Sequence, residues 1–123
     1  MVNKEFLMSN DTEAYKIAFK LSNYVWDLVV RWDYFAKDTV GKQFVRAVDY
    51  ISANKEGFRR YTKKDKIKFY KYSFGSLYES LDWNEKAHWR KLLDEEEYSN
   101  IFAELIKLPK AINSLILYTN KKL

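Results

Sequence analysis

Basic and aromatic side chains alternate in one short stretch of the chain, residues 55–71. It holds eight lysines and arginines but only two acidic residues, so its local charge of +6 exceeds the +5 of the whole protein. Phe58, Tyr61 and Phe69 are interleaved with these cations, and Tyr72 follows. Bases stack on aromatic rings and phosphates pair with cations, so the pattern suits single-stranded nucleic acid. With two cations four residues apart on the preceding helix, the candidate nucleic-acid-binding residues are Lys42, Arg46, Lys55, Arg59, Arg60, Lys63, Lys64, Lys66, Lys68 and Lys71.

The same stretch has a plainer interpretation. Most charge runs are solvated helix faces, and the aromatic rings between the cations then point to the core or to a neighbouring subunit. In that case the protein is a scaffold or protein-interaction module without a nucleic-acid role. The basic residues would then serve solubility or an acidic protein partner.

A second pattern, Glu85 followed three residues later by His88, has the spacing of a metal-binding pair in a helical bundle. Di-iron bundles need two such pairs and further carboxylates, whereas this chain has one histidine. A histidine partly buried near a helix end is therefore favoured over a metal-dependent enzyme. The chain has no cysteine, which excludes thiolate ligands and a cysteine nucleophile. We expect no catalytic residue, no metal, no cofactor and no enzymatic activity.

Helices must position these residues. The chain has 123 residues, 47% of them hydrophobic, and only three glycines and one proline, too few turn residues for an all-β fold. Apolar residues recur at alternating spacings of three and four, which is typical of bundle helices. We therefore predict an all-α protein, an antiparallel up-down-up-down four-helix bundle forming one domain over residues 1–123. The predicted helices cover approximately 11–32, 39–57, 62–91 and 95–119.

Capping residues mark the predicted helix boundaries. The segment 33–37 is expected to be a connection, and Gly57 is expected to end the second helix in a left-handed conformation. The proposed N-terminal caps are Asn10 with Glu13, Asp38 or Thr39, Thr62 with Asp65, and Asp94 with Glu97.

Three residues interrupt the apolar pattern. Asn54 falls on a core position, where one polar residue fixes register or oligomeric state. Gly75 lies inside the third helix at a cost of about 1 kcal/mol against alanine, which predicts that another helix packs against it. Pro109 lies inside the fourth helix, and because the pattern resumes in phase we predict a kink there rather than an end.

Aromatic residues exceed what one small core needs. Since aromatic side chains are enriched where subunits meet, the candidate oligomer-interface residues are Trp26, Tyr78, Trp83 and Trp89. The alternative is that these amphipathic rings cover the flanks of the bundle.

The segments 37–47, 51–58 and 75–79, in this order and spacing, resemble the 23S rRNA intervening-sequence (S23) family of small bacterial four-helix bundles. The resemblance implies a homopentameric ring and no enzymatic activity. The family is similar to the accessory variability proteins of retroelements, in which a basic pentamer binds RNA and a reverse transcriptase. The expected partners are therefore further copies of the chain, RNA, and a reverse transcriptase or another protein. Here Lys55 alone separates Asn54 from Glu56, one residue fewer than the family usually has.

Hydropathy and cysteine usage bear on location. No apolar run approaches the roughly 18 residues that a spanning helix needs, and the first eight residues become polar too soon for a signal sequence. Together with the absence of cysteine, these features predict a cytoplasmic protein that does not engage a membrane.

Overall fold

The computed structural model describes residues 12–122, and helices account for nearly all of them. The predicted all-α class is confirmed, since the described part of the chain holds no strand. Its up-down-up-down order stays a prediction. The elements are α1 (Glu13–Val29), α2 (Tyr34–Ala36), a π-helical turn (Lys37–Gly41), α3 (Lys42–Tyr50), α4 (Ala53–Arg59), α5 (Lys63–Trp89), α6 (Glu95–Leu105) and α7 (Leu108–Lys122).

One apolar core joins these helices. Leu21 of α1, Leu77 of α5 and Ile112 of α7 are each at most 2% exposed, as the apolar stripes predict. Ile51, between α3 and α4, is fully buried with them. Burying each of these side chains contributes about 1.5–3 kcal/mol to the free energy of unfolding, so this core stabilises the packing of the helices. Across residues 12–122, no helix is both long and apolar enough to cross a membrane.

The helix boundaries at the start of α1 and between α1 and α3 differ from the prediction. The segment 33–37 is not a connection, because Asp33 caps a helix that begins at Tyr34, accepting a hydrogen bond from the Ala36 amide at 3.1 Å. The cap predicted at Asp38 or Thr39 is therefore wrong, and both residues lie within the π-helical turn. The Asn10 end of the first predicted capping box lies outside the described residues, and α1 begins at Glu13 with Thr12 as its cap.

Gly57 does not end a helix in a left-handed conformation, which corrects the prediction. It lies inside α4, and no described glycine has a positive φ. Its missing side chain makes room for α5 instead. A Cβ at Gly57 would lie 2.9 Å from Cε1 of Tyr70 and 3.0 Å from the backbone oxygen of Lys66. The helix continues to Arg59 and ends because Arg60 is extended (φ −74°, ψ 156°).

Asn54 is buried completely, as its core position predicts. It lies just after the short break between α3 and α4, where a helical carbonyl loses its regular partner. Asn54 Nδ2 donates to the Ile51 oxygen at 2.7 Å, and Ser73 Oγ of α5 donates to the same oxygen at 2.6 Å. The same oxygen also accepts a hydrogen bond from the Asn54 amide at 3.2 Å, so three donors converge on a buried carbonyl, and the one from Ser73 ties the α3–α4 break to α5.

Pro109 has a stronger effect than the predicted kink. Helix α6 ends at Leu105, and α7 begins at Leu108. Proline lacks the amide that would bond the Leu105 carbonyl, and its ring crowds that carbonyl, so the helix breaks. Leu105, Leu108 and Ile112 are nevertheless fully buried, because the break keeps the apolar pattern in phase.

Candidate nucleic-acid interface

The basic stretch folds into one corner of the molecule, made by α4, the three-residue connection 60–62 and the first turns of α5. We call residues 55–72 the basic corner. Two hydrogen bonds fix the connection: the Arg60 amide donates to the Gly57 oxygen at 3.2 Å, and Thr62 Oγ1 accepts from the Asp65 amide at 3.1 Å. The predicted cap at Thr62 is thereby confirmed. The corner is therefore built on the end of α4 and the capped start of α5.

Two of its cations brace the corner internally. Arg60 pairs with Glu56 at 2.9 Å, and its guanidinium lies 4.5 Å above the Phe69 ring. Lys66 Nζ donates to the Phe58 oxygen at 2.6 Å and lies 5.5 Å from the centre of that ring. Both side chains connect α4 with α5, so their first role is structural.

Four lysines of α5 point to solvent: Lys63, Lys64, Lys68 and Lys71. Three of these, at spacings of four and three, share one helix face. Among residues 12–122, no carboxylate forms an ion pair with any of the four. Their charge is thus not neutralised by acids of the described chain, and the positive N-terminal end of the 27-residue helix α5 adds to it.

The remaining predicted cations lie further apart. Lys55 Nζ lies 4.6 Å from the centre of the Tyr15 ring, close to the start of α1. Arg59 is exposed in the last turn of α4. Lys42 lines a groove with Trp26 and residues near the other end of α1, about 16 Å or more along that helix from Tyr15. Arg46 is exposed one turn further along α3. The structure gathers residues 55–71 but sets Lys42 apart from them.

The aromatic rings of the corner differ in accessibility. Tyr61 is 93% exposed, whereas Tyr72 is 51% exposed. Phe58 and Phe69 are partly buried beneath the bracing cations. Sequence reasoning treated the four rings alike, because which ring a cation covers depends on how α4 and α5 pack.

The predicted interface aromatics are mostly in solvent. Trp26, Tyr78 and Trp89 are 55%, 62% and 87% exposed, whereas Trp83 packs partly against the core. Sequence reasoning missed further exposed apolar side chains. Two of these, Phe19 and Val30, align with Trp26 at helical spacing on α1, and that second stripe could have revealed them. Others include Tyr34 and Phe35.

Glu85 and His88 join α5 to α6. His88 Nε2 lies 2.6 Å from Glu95 Oε1, and its ring stacks on that of Tyr98 with centres 4.0 Å apart. The Tyr98 hydroxyl donates to Glu85. That hydrogen bond, followed by burial and the charges of Glu85 and Glu95, raises the pKa of Tyr98, so the hydroxyl stays a donor at neutral pH. The described residues contain no group of three or more side chains able to hold a metal ion.

Residues 10–114 fit the model of a protein family described as 23S rRNA-intervening sequence protein, which covers most of the chain. The match confirms the resemblance inferred from the segments between residues 37 and 79. No curated protein matches the chain.

Proposed function

Since the chain belongs to the 23S rRNA-intervening sequence protein family, we propose that it is a non-enzymatic, homo-oligomeric helical bundle that binds RNA or another nucleic acid through the basic corner. One observation carries the nucleic-acid part of the proposal. Lys63, Lys64, Lys68 and Lys71 are exposed beside one another, and no acid of the described chain pairs with them.

Unpaired cations on a rigid helix suit a polyanion. Each lysine that neutralises a phosphate releases a counterion, so binding gains free energy without any sequence-specific contact. We therefore propose binding of low sequence specificity. We also propose a cytoplasmic location, which is compatible with a chain that has no cysteine to form disulfides.

Self-assembly would strengthen this surface. We propose a homopentamer. The family resemblance implies the number of subunits, and the exposed aromatic side chains of α1 and α5 support a subunit interface, because aromatic residues are enriched where subunits meet. A symmetric ring would repeat the basic corner around its axis. The summed positive potential would attract a polyanion more strongly than one copy can.

Salt dependence tests the nucleic-acid part. We expect an unstructured RNA of about 16 nucleotides to bind with an affinity that falls steeply between about 50 and 200 mM salt. Four phosphate contacts predict a slope of about −3 in a plot of log affinity against log salt. Fluorescence anisotropy of a labelled RNA provides the measurement. Absence of binding at the lowest salt, or a slope near zero, would overturn the proposal.

Solution mass tests the assembly part. We expect light scattering after size-exclusion chromatography to give about five times the mass of one chain. Nuclease-treated protein in high salt should give the same mass, because contacts between apolar surfaces do not depend on RNA bridging or charge. A single-chain mass throughout the accessible concentration range would contradict the assembly and leave the lysine surface to act in a monomer.

A further inference from the structure

Tyr61 stands out among the aromatic residues of the molecule. Its side chain is 93% exposed, the largest fraction of any large hydrophobic residue in the described chain. It makes no hydrogen bond or ring contact with another described residue. Packing within the described chain therefore gives this ring no role.

The backbone that carries Tyr61 is nevertheless fixed. Arg60 before it is held by its hydrogen bond to the Gly57 oxygen, and Thr62 after it caps α5. The ring consequently projects from a short, defined connection between two helices. A presented ring of this kind loses less conformational freedom on binding than one on a mobile loop.

The neighbouring rings are already engaged. Arg60 lies over Phe69, and Lys66 lies near Phe58, at 4.5 and 5.5 Å from the ring centres. Tyr72 packs edge-to-face against Phe69, with centres 5.5 Å apart, and Lys68 Nζ lies over the Tyr72 ring, 5.9 Å from its centre. Tyr61 is thus the one ring of the basic corner with open faces among the described residues, and Lys63 and Lys64 follow it directly in the sequence.

We propose that the basic corner selects unpaired nucleic acid, with Tyr61 stacking on one base while the lysines of α5 hold the flanking phosphates. This inference rests on the proposed nucleic-acid binding and names its substrate class. In a duplex the base faces are covered by their neighbours, whereas an unpaired strand can place a base on an aromatic ring. The lysines alone bind either form, so the ring provides the discrimination.

A comparison of strands tests the inference. Wild-type protein, Tyr61→Ala and Tyr61→Phe are titrated with an unstructured RNA and with a blunt duplex of equal phosphate number at the same salt. Tyr34→Ala serves as the matched control, because Tyr34 is 78% exposed at the far end of α1 from the basic corner. Circular dichroism and solution mass verify that each variant keeps its fold and assembly.

We expect Tyr61→Ala to lose about tenfold in affinity for the unpaired strand and little for the duplex. Tyr61→Phe should retain the wild-type preference, since stacking needs the ring and not the hydroxyl. Equal losses for both forms, no loss for either, or a duplex that binds wild type as tightly as the single strand would overturn the inference. Salt-dependent binding would then persist, so the proposed function would survive. If the protein bound neither RNA but bound polyglutamate, both this inference and the proposed nucleic-acid binding would be refuted.

Discussion

The fourfold variant Lys63→Glu, Lys64→Glu, Lys68→Glu and Lys71→Glu loses about a thousandfold in RNA affinity at about 50 mM salt. Each of the four cations that neutralise phosphates contributes a factor of roughly ten, or somewhat less, to the RNA affinity at this ionic strength. Because none of the four is ion-paired with a described carboxylate, their removal leaves no buried charge behind. The loss should shrink as salt rises, and anisotropy titrations at several salt concentrations measure it.

A matched variant separates local from global charge. Lys37→Glu, Lys86→Glu, Lys107→Glu and Lys110→Glu change the net charge equally, on exposed or half-exposed residues outside the basic corner. Lys37 contacts the Val30 oxygen near the end of α1, and Lys86 pairs with Asp82 in the second half of α5. We expect this control to lose no more than about tenfold, through the weaker overall field. Equal losses in the two variants would show that net charge, not the corner, attracts RNA.

Two glycine-to-alanine substitutions of the same chemistry should have opposite effects on stability. Gly57→Ala is expected to lower the free energy of unfolding by about 1–3 kcal/mol, because the added methyl meets Tyr70, Phe69 and a backbone oxygen at 2.9–3.0 Å. Tyr70 is 1% exposed, so it cannot move aside easily. Gly75→Ala should raise the free energy of unfolding by up to about 1 kcal/mol, since a Cβ there has no described neighbour within 4 Å.

Urea unfolding followed by circular dichroism measures both glycine effects. The Gly75 result also bears on assembly, because the packing partner expected for this glycine is absent from the described part of its own chain. A loss of stability in Gly75→Ala together with a smaller solution mass would show that another copy approaches the helix there. Equal destabilisation at both positions without a change in mass would contradict the packing argument.

The sequence predicts those features that depend on periodicity, and it fails where local chemistry has two possible causes. Leu21, Leu77 and Ile112 are found in the core because apolar spacing along a helix is visible in the chain. Gly57 is misassigned because glycine suits both a left-handed helix end and a close helix contact, and only the packing of α5 decides between them. The helix start at Tyr34 is missed because exposed aromatic residues obscure the cap at Asp33.

The candidate site is predictable to a similar extent. The cluster of cations is visible in the order of residues along the chain, and a 17-residue stretch that crosses one helix connection must stay together in space. Which cations brace the corner and which face solvent depends on side chains from two helices meeting. Arg60 is therefore distinguishable from Lys64 only when Glu56 and Phe69 are seen beside it.

The hydrogen bonds from Asn54 and Ser73 to the Ile51 oxygen have a thermodynamic consequence. Helix α4 has seven residues, too few to persist alone in water, so it exists only while α5 is docked beside it. The basic corner and this part of the core are therefore expected to open and close as one cooperative unit. A ligand that binds only the folded corner shifts the equilibrium toward the folded protein. Such a ligand therefore raises the melting temperature.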